Sequence, residues 1–235
     1  MEDTITFIPF SRLLIIFIPV SLVVLILNYW LLDWKNSLQA IGRMLIQLTI
    51  IGYLLSYIFS SEDSIFILFI LIIMVLISSW IALGVTPENR FSLLRFSFLA
   101  IMIGGGLNLV IVSQFILQLD PWYKPSYLIP LAGMIFASSM NGISLAAERF
   151  SAELKRKVEY NLAKGIALKA ALIPITNSLF AVGLVSLPGM MTGQILSGIS
   201  PLIAVRYQIM VMCMIFSSVG LSSYLFLIMT NPEKS

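Results

Sequence analysis

The chain has no histidine, a single cysteine and few acidic residues, and each shortage excludes a kind of chemistry. Without histidine it cannot build a His-ligated haem or zinc site, nor a serine protease with a histidine base. The aspartates Asp3, Asp33, Asp63 and Asp120 fall in predicted tails or loops, which excludes the paired acids of an intramembrane aspartyl protease. Cys213 has no partner for an intrachain disulfide, and we interpret it as a packing residue. We therefore expect no enzyme, no metal site and no cofactor bound by this chain.

Sources of energy for transport are missing as well. None of the acidic residues lies in the middle of a long apolar stretch, where a proton-driven carrier usually keeps a titratable group. The phosphate-binding pattern G-x-x-x-x-G-K-[ST] is absent, because the only lysine followed by serine is Lys234 at the very end. If this chain moves a solute with the energy of ATP, a separate subunit must bind the nucleotide.

Apolar sequence is what the chain has in abundance. Hydrophobic residues make up 59% and charged residues 11%, and the mean hydropathy is +1.01. Soluble domains carry roughly twice this share of charge. Seven apolar stretches are each long enough to cross a hydrocarbon core about 30 Å thick. They are residues 13–32, 41–59, 65–83, 96–117, 128–146, 170–187 and 207–229. We predict an all-α polytopic membrane protein with about seven transmembrane helices, forming a single transmembrane domain over residues 1–235.

The distribution of lysine and arginine predicts the orientation, because basic loops tend to stay in the cytoplasm. With the N-terminus outside and the C-terminus cytoplasmic, only Arg12, Lys124 and Arg206 of the 14 basic residues lie outside. The cytoplasmic set is Lys35, Arg43, Arg90, Arg95, Arg149, Lys155, Arg156, Lys157, Lys164, Lys169 and Lys234. These residues are dispersed among loops that flank the membrane, so their expected partner is anionic lipid and not nucleic acid.

The longest cytoplasmic loop, at about residues 146–169, is predicted to be a coupling segment. Residues 146–165 are expected to form an amphipathic helix that continues the fifth span, with an apolar stripe and a charged opposite face. The stripe consists of Phe150, Leu154, Val158 and Leu162, and the charged face includes Glu153 and Lys157 as a favourable i,i+4 pair. Such a stripe needs a cover, which can be the membrane surface, another part of the chain or a partner protein.

A weaker signal lies in the same segment. Glu159 is followed six residues later by Gly165, a spacing found in the coupling loop of ABC importers. A solvated helix end with a flexible glycine explains the same pattern equally well, so these two residues alone decide nothing.

Three stretches of the chain resemble the FetB-type ABC transporter permeases, which are described as iron exporters with plant relatives linked to aluminium tolerance. The stretches are residues 42–60, beginning GRMLIQ, residues 128–150, LIPLAGMIFASSMNGISLAAERF, and residues 171–211, beginning ALIPITNSLF. The resemblance implies a plasma-membrane permease domain that works with a separate ATPase subunit, as two permeases and two ATPases, and that exports iron. The residues expected to couple to the ATPase are then Phe150, Leu154, Arg156, Val158, Glu159 and Gly165.

The chain departs from the family pattern between Gly165 and Pro174, where it is shorter. This leaves open whether the segment still couples to an ATPase. An ATP-independent ion channel or carrier is the alternative function, with the basic segment lying on lipid, and a scaffold or insertase-like protein is a third.

The candidates for a transport pathway are polar residues inside the spans, together with two methionines and a glutamine between the sixth and seventh spans. Each of them can equally be packing glue that joins two helices through a hydrogen bond. The candidates are Arg43, Gln47, Asn108, Ser138, Asn141, Asn177, Met190, Met191 and Gln194. Asn177 follows Pro174, which deprives the carbonyl of Ala170 of its helical donor.

Residues 188–204, which contain the last three candidates, can form a re-entrant hairpin or an outer loop with closely packed helices. Methionine thioethers suit Cu(I) whereas iron prefers oxygen or imidazole ligands, so these methionines assign no metal site.

Overall fold

The computed structural model describes residues 8–230, which are almost entirely helical, and the predicted all-α class is confirmed. Lys234, part of the predicted cytoplasmic set, lies outside the described residues. Eight helices follow one another in the described range. They are α1 (Ser11–Tyr29), α2 (Trp34–Phe59), α3 (Ser64–Val85), α4 (Pro87–Ile116), α5 (Pro125–Lys155), α6 (Tyr160–Ala181), α7 (Gly189–Leu196) and α8 (Pro201–Met229).

The chain divides into two compact units at Ser60. The first unit contains α1 and α2, which contact each other across a short turn. Asp33 begins α2, because its Oδ1 accepts a hydrogen bond from the backbone N–H of Asn36 at 3.1 Å. The second unit contains α3 to α8. The prediction of a single domain over residues 1–235 stays a prediction.

The two ends of the second unit can be named from α5, which has 31 residues and is therefore about 46 Å long. The basal end is where Lys155 at the end of α5 lines one cleft with Asn89 and Thr230. The distal end is where Ser126 at the start of α5 lines a cavity with Gln194. The helices α3, α4, α5, α6 and α8 run alternately between these two ends.

Six helices in the described range are long and apolar enough to cross a membrane, compared with about seven predicted spans. The difference lies at the predicted span 170–187. The corresponding helix α6 begins earlier, ends at Ala181 and carries Lys164 and Lys169 in its first half, and it is not among the six. With 22 residues it is nevertheless about 33 Å long. It packs against α5 and α8 and runs from the basal end towards the distal end, so the second unit contains five passes of the chain.

Small residues allow α4, α5 and α8 to pack closely in the core. A Cβ on Gly142 of α5 would lie 2.9 Å from Val219 Cγ1 of α8, and one on Gly104 of α4 would lie 2.8 Å from the backbone nitrogen of Ser222. Only a residue without a side chain fits at such distances. In a lipid environment the packing of small residues is a main source of helix association, because the hydrophobic effect does not drive it.

Candidate functional site

The predicted coupling helix is interrupted, which corrects the expectation of one amphipathic helix over residues 146–165. Helix α5 ends at Lys155, and α6 begins at Tyr160. The N–H of Lys157 bonds to the carbonyl of Leu154 at 2.9 Å and that of Val158 to the carbonyl of Glu153 at 3.1 Å. These two bonds form a Schellman motif, in which Lys157 has a φ of 60°. The stripe from Phe150 to Leu162 therefore does not form on one helix.

Phe150 and Leu154 are covered partly by the protein itself. They line the basal cleft of about 340 Å³ together with residues of α4 and α8. Phe150 is only 5% exposed, and its ring contacts that of Tyr160 edge-to-face at 5.6 Å between centroids. The Tyr160 hydroxyl donates to the carbonyl of Thr230 at 2.5 Å, which holds the start of α6 beside the end of α8. Phe150 thus belongs to the core of the basal end.

The other coupling candidates lie at the surface of the same end. Arg156, Glu159 and Gly165 are exposed and Val158 is half-buried. Gly165 lies within α6 and not in a turn, and a Cβ added there would have open space around it. The Glu159–Gly165 spacing therefore corresponds to the first turns of a helix.

Glu159 has a clear local role as the N-cap of α6. Its carboxylate accepts hydrogen bonds from the N–H of Asn161 at 3.0 Å and of Leu162 at 2.9 Å. The first four N–H groups of a helix lack partners within the helix, so this carboxylate satisfies two of them. The same two bonds hold the pKa of Glu159 below its ordinary value of 4.5, because they favour the ionised form.

Glu153 is a basal residue that the sequence did not single out as a site. It is only 4% exposed, and its Oε1 lies 2.6 Å from Arg149 Nη2 and 3.8 Å from Arg156 Nη1. The expected pair with Lys157 is not made, because the Schellman turn removes Lys157 from the helix. Glu153 lies four residues after Arg149 and three residues before Arg156, and this helical spacing was the sequence signal that could have revealed the cluster.

The structure distributes the pathway candidates of the second unit over several places. Ser138 and Asn141 line a groove of about 300 Å³ that lies between α5, α6 and α8 and also includes Pro174 and Ser178. The Ser178 hydroxyl donates to the carbonyl of Pro174 at 3.0 Å. Asn177 is exposed on the same helix. Pro174 and Ser178 thus border the groove, and Asn177 is not among the residues that line it.

Asn108 is paired with its neighbours in the core. Its Nδ2 donates to the carbonyl of Gly104 at 2.8 Å, and its Oδ1 accepts a hydrogen bond from the Ser217 hydroxyl. Two π-helical segments of α4, Ile101–Gly105 and Ile111–Ile116, flank it. Such wide turns are frequent at functional sites, but this asparagine joins α4 to α8. A second link in this core, between Ser222 of α8 and Ser139 of α5 at 3.0 Å, was not expected from the sequence.

Met190 and Gln194 line the distal cavity, which has a volume of about 530 Å³. Met191, next in sequence, lines a different pocket of about 310 Å³ with Gln208 and Met212. The distal cavity is also lined by Met134, Met210, Tyr127 and Tyr207. The sequence did not indicate these residues, because they come from distant parts of the chain.

Arg43 and Gln47 lie one turn apart on α2 in the first unit, and both are exposed. In the described range no three histidine, cysteine, aspartate or glutamate residues come together as a metal site would require.

Comparison with known proteins gives a consistent result over nearly the whole chain. The model of an uncharacterised protein family, UPF0014, matches residues 10–233. The chain is 37% identical over 215 residues to the UPF0014 membrane protein slr1647 of Synechocystis, covering 82% of this chain and 83% of that protein. It is 34% identical over 206 residues to the probable iron export permease protein FetB of Escherichia coli, covering 80% and 77%. It is 30% identical over 228 residues to Protein ALUMINUM SENSITIVE 3 of Arabidopsis thaliana, covering 87% and 82%. No solved structure matches the chain.

Proposed function

The chain belongs to the UPF0014 family of multi-pass membrane proteins, and on that premise we propose that it is the permease subunit of an ABC-type exporter. A separate ATPase subunit binds ATP and supplies the energy, and the complex contains two copies of each subunit. The cargo is iron, as the name of the Escherichia coli relative says for that protein. The transporter lies in the plasma membrane.

The basal end of the second unit is the observation that carries this proposal. It gathers a buried Glu153 with its two arginines, the exposed Lys155, and a capped helix start at Tyr160, all within one turn of chain between α5 and α6. A short connection that is fixed to the core through the contact between Phe150 and Tyr160 can transmit movement of a docked subunit to the helices of the membrane portion. The chain has no nucleotide-binding loop of its own, so an ATPase docked at this place would provide the missing step.

The proposal is tested by reconstituting the permease in lipid vesicles with a candidate ABC-type ATPase subunit from the same organism. Iron supplied with an organic chelator is expected to stimulate ATP hydrolysis and to cross the membrane only when ATP is present. An ATPase variant that cannot hydrolyse ATP is the control. Iron flux that continues with this variant would refute the proposal in favour of an ATP-independent channel or carrier.

Docking at the basal end has its own test. Because Phe150 is buried, its replacement would lower the stability of the fold and would not report on docking alone. An exposed residue is therefore the better choice for a docking test. Lys155→Glu at the basal end is expected to weaken association with the ATPase, whereas Lys124→Glu, an exposed lysine just before α5, is expected to leave it unchanged. Equal association of both variants with the ATPase would exclude the basal end as the docking surface.

The predicted orientation is tested by cysteine labelling. In a chain whose native cysteine is replaced, Glu62→Cys is expected to react with a membrane-impermeant thiol reagent added outside intact cells. Lys155→Cys is expected to react only after the membrane is opened. The reverse pattern would place the basal end outside the cell and would exclude a cytoplasmic ATPase there.

A further inference from the structure

We infer that the distal cavity binds an organic molecule that presents a hydrogen-bond donor to Gln194. This inference deepens the proposed function by naming the class of cargo. The volume of about 530 Å³ lies within the roughly 300–1,000 Å³ of pockets that hold small organic ligands. A single metal ion would leave most of such a space unfilled.

The walls of the cavity suit an organic molecule. Met134, Met190 and Met210 line it from α5, α7 and α8, and Tyr127 and Tyr207 add aromatic side chains. Methionine side chains are flexible and polarizable and therefore adapt to ligands of different shape. Pockets of this type orient their ligands through a small number of polar groups among apolar ones.

Gln194 supplies such a polar group. Its side chain lines the cavity, and its Oε1 is buried without a hydrogen-bond partner in the described part of the chain. The backbone of the same residue is fixed, since its carbonyl accepts a hydrogen bond from the N–H of Ile199 at 3.0 Å in the turn at Gly198. Buried polar atoms are nearly always paired in native proteins. Since this oxygen has almost no accessible surface, the amide must rotate for an O–H or N–H group of a bound ligand to become its partner.

The same lining disfavours a bare iron ion. None of the residues that line the cavity is charged, and none offers a carboxylate or an imidazole. An iron ion that entered would lose its water ligands without obtaining the oxygen or imidazole ligands that it prefers. The ammonium group of Lys124 lies 5.4 Å from the ring centroid of Tyr127, so a positive charge already stands beside one wall. Iron would therefore pass this cavity inside an uncharged or anionic organic complex.

Two probes with the same ring system test the inference. 9-Phenanthrol has a hydroxyl donor, and 9-methoxyphenanthrene has the same rings without the donor. Binding to the purified permease in detergent is measured by isothermal titration calorimetry, without ATPase or iron. Gln194→Leu is expected to weaken binding of 9-phenanthrol about five- to tenfold, the usual worth of one buried hydrogen bond, and to leave the ether unchanged.

Gln208→Leu is the matched control, because Gln208 Oε1 is also buried without a partner in the described range but lines a separate pocket. It is expected to change neither affinity. Met190→Trp, which fills part of the distal cavity, is expected to weaken both probes, and its elution and melting temperature show whether it is folded.

Three results would overturn the inference: equal 9-phenanthrol affinity of Gln194→Leu and the native chain, undiminished binding by a folded Met190→Trp variant, or displacement of the probe by ferrous or silver ions alone. Since the assay contains neither ATP nor transported iron, failure of the ATPase proposal would not affect it. If the probe binds but iron does not stimulate ATP hydrolysis, the inference that the cavity binds an organic ligand is supported and the proposed energy source is contradicted.

Discussion

The close approach of α4 and α8 leads to a sharp test at Gly104. A Cβ at this position would lie 2.8 Å from the backbone nitrogen and 2.7 Å from the Oγ of Ser222. Ordinary contact begins at 3.4 Å, so the backbones must separate by about 0.6 Å to accept Gly104→Ala. The movement also strains the hydrogen bond from Ser222 to Ser139, which measures 3.0 Å.

Overpacking of this kind costs about 1–3 kcal/mol. Gly106→Ala is the matched control, because it lies one half-turn further along the same helix and has nothing within 4 Å of the added Cβ. It is expected to be neutral or to stabilise by up to about 1 kcal/mol through helix propensity. The two variants should therefore differ by about 1–4 kcal/mol, or by about 2–16 °C in Tm for a chain of this size.

The assay is the fraction of purified permease that remains monodisperse in size-exclusion chromatography after heating in detergent. Gly104→Ala is expected to lose this fraction at a lower temperature than the native chain, and Gly106→Ala is not. Identical melting of the two variants would mean that α4 and α8 do not pack as closely as described.

Three further predictions concern the basal end. Glu153→Gln leaves two arginines without their carboxylate and is expected to cost about 1–3 kcal/mol in a thermal melt, whereas Glu148→Gln on the exposed surface should cost almost nothing. Lys157→Gly is expected to raise Tm by up to the equivalent of about 1 kcal/mol, since glycine accepts the φ of 60° without a Cβ clash; a lower Tm would argue against the Schellman turn. Because the pKa of Glu159 is lowered on folding, its capping contribution is fully present above 4.5 and is lost as the pH falls through the lowered pKa. Amide exchange at the first turn of α6, corrected for its intrinsic pH dependence, should therefore rise at low pH in the native chain and not in Glu159→Gln.

Hydropathy alone predicted most of the helices, because a segment that crosses lipid must be both long and apolar. The predicted stretches 41–59, 65–83 and 207–229 each lie within or almost within one observed helix. The stretch 170–187 was the least accurate. The corresponding helix begins ten residues earlier, at Tyr160, so its first half carries Lys164 and Lys169 near the basal end, where long cationic side chains can reach the membrane interface.

The break between α5 and α6 could not be predicted from periodicity. Phe150, Leu154 and Val158 keep a helical spacing through the point where the helix ends. The chain turns at Lys157 although it is not glycine, and the usual signal for a C-terminal cap is therefore missing. The turn is held by contacts that are distant in sequence, above all the hydrogen bond from Tyr160 to Thr230. Tertiary packing decided the local structure here.

Hydrogen bonding now separates the pathway candidates that the sequence could only list together. A polar group in an apolar interior is stable when its partner is another part of the protein, and Asn108 has such partners in Gly104 and Ser217. This pairing favours the role of packing glue for Asn108. Gln194 is different, because its buried Oε1 remains without a partner beside a cavity large enough for a ligand. Transport requires a site that holds its cargo briefly and then releases it. An unpaired acceptor beside an adaptable cavity suits this role better than an amide that is already hydrogen-bonded within α4 and to α8. Mutation of Gln194 should therefore alter transport at a smaller cost in stability than mutation of Asn108.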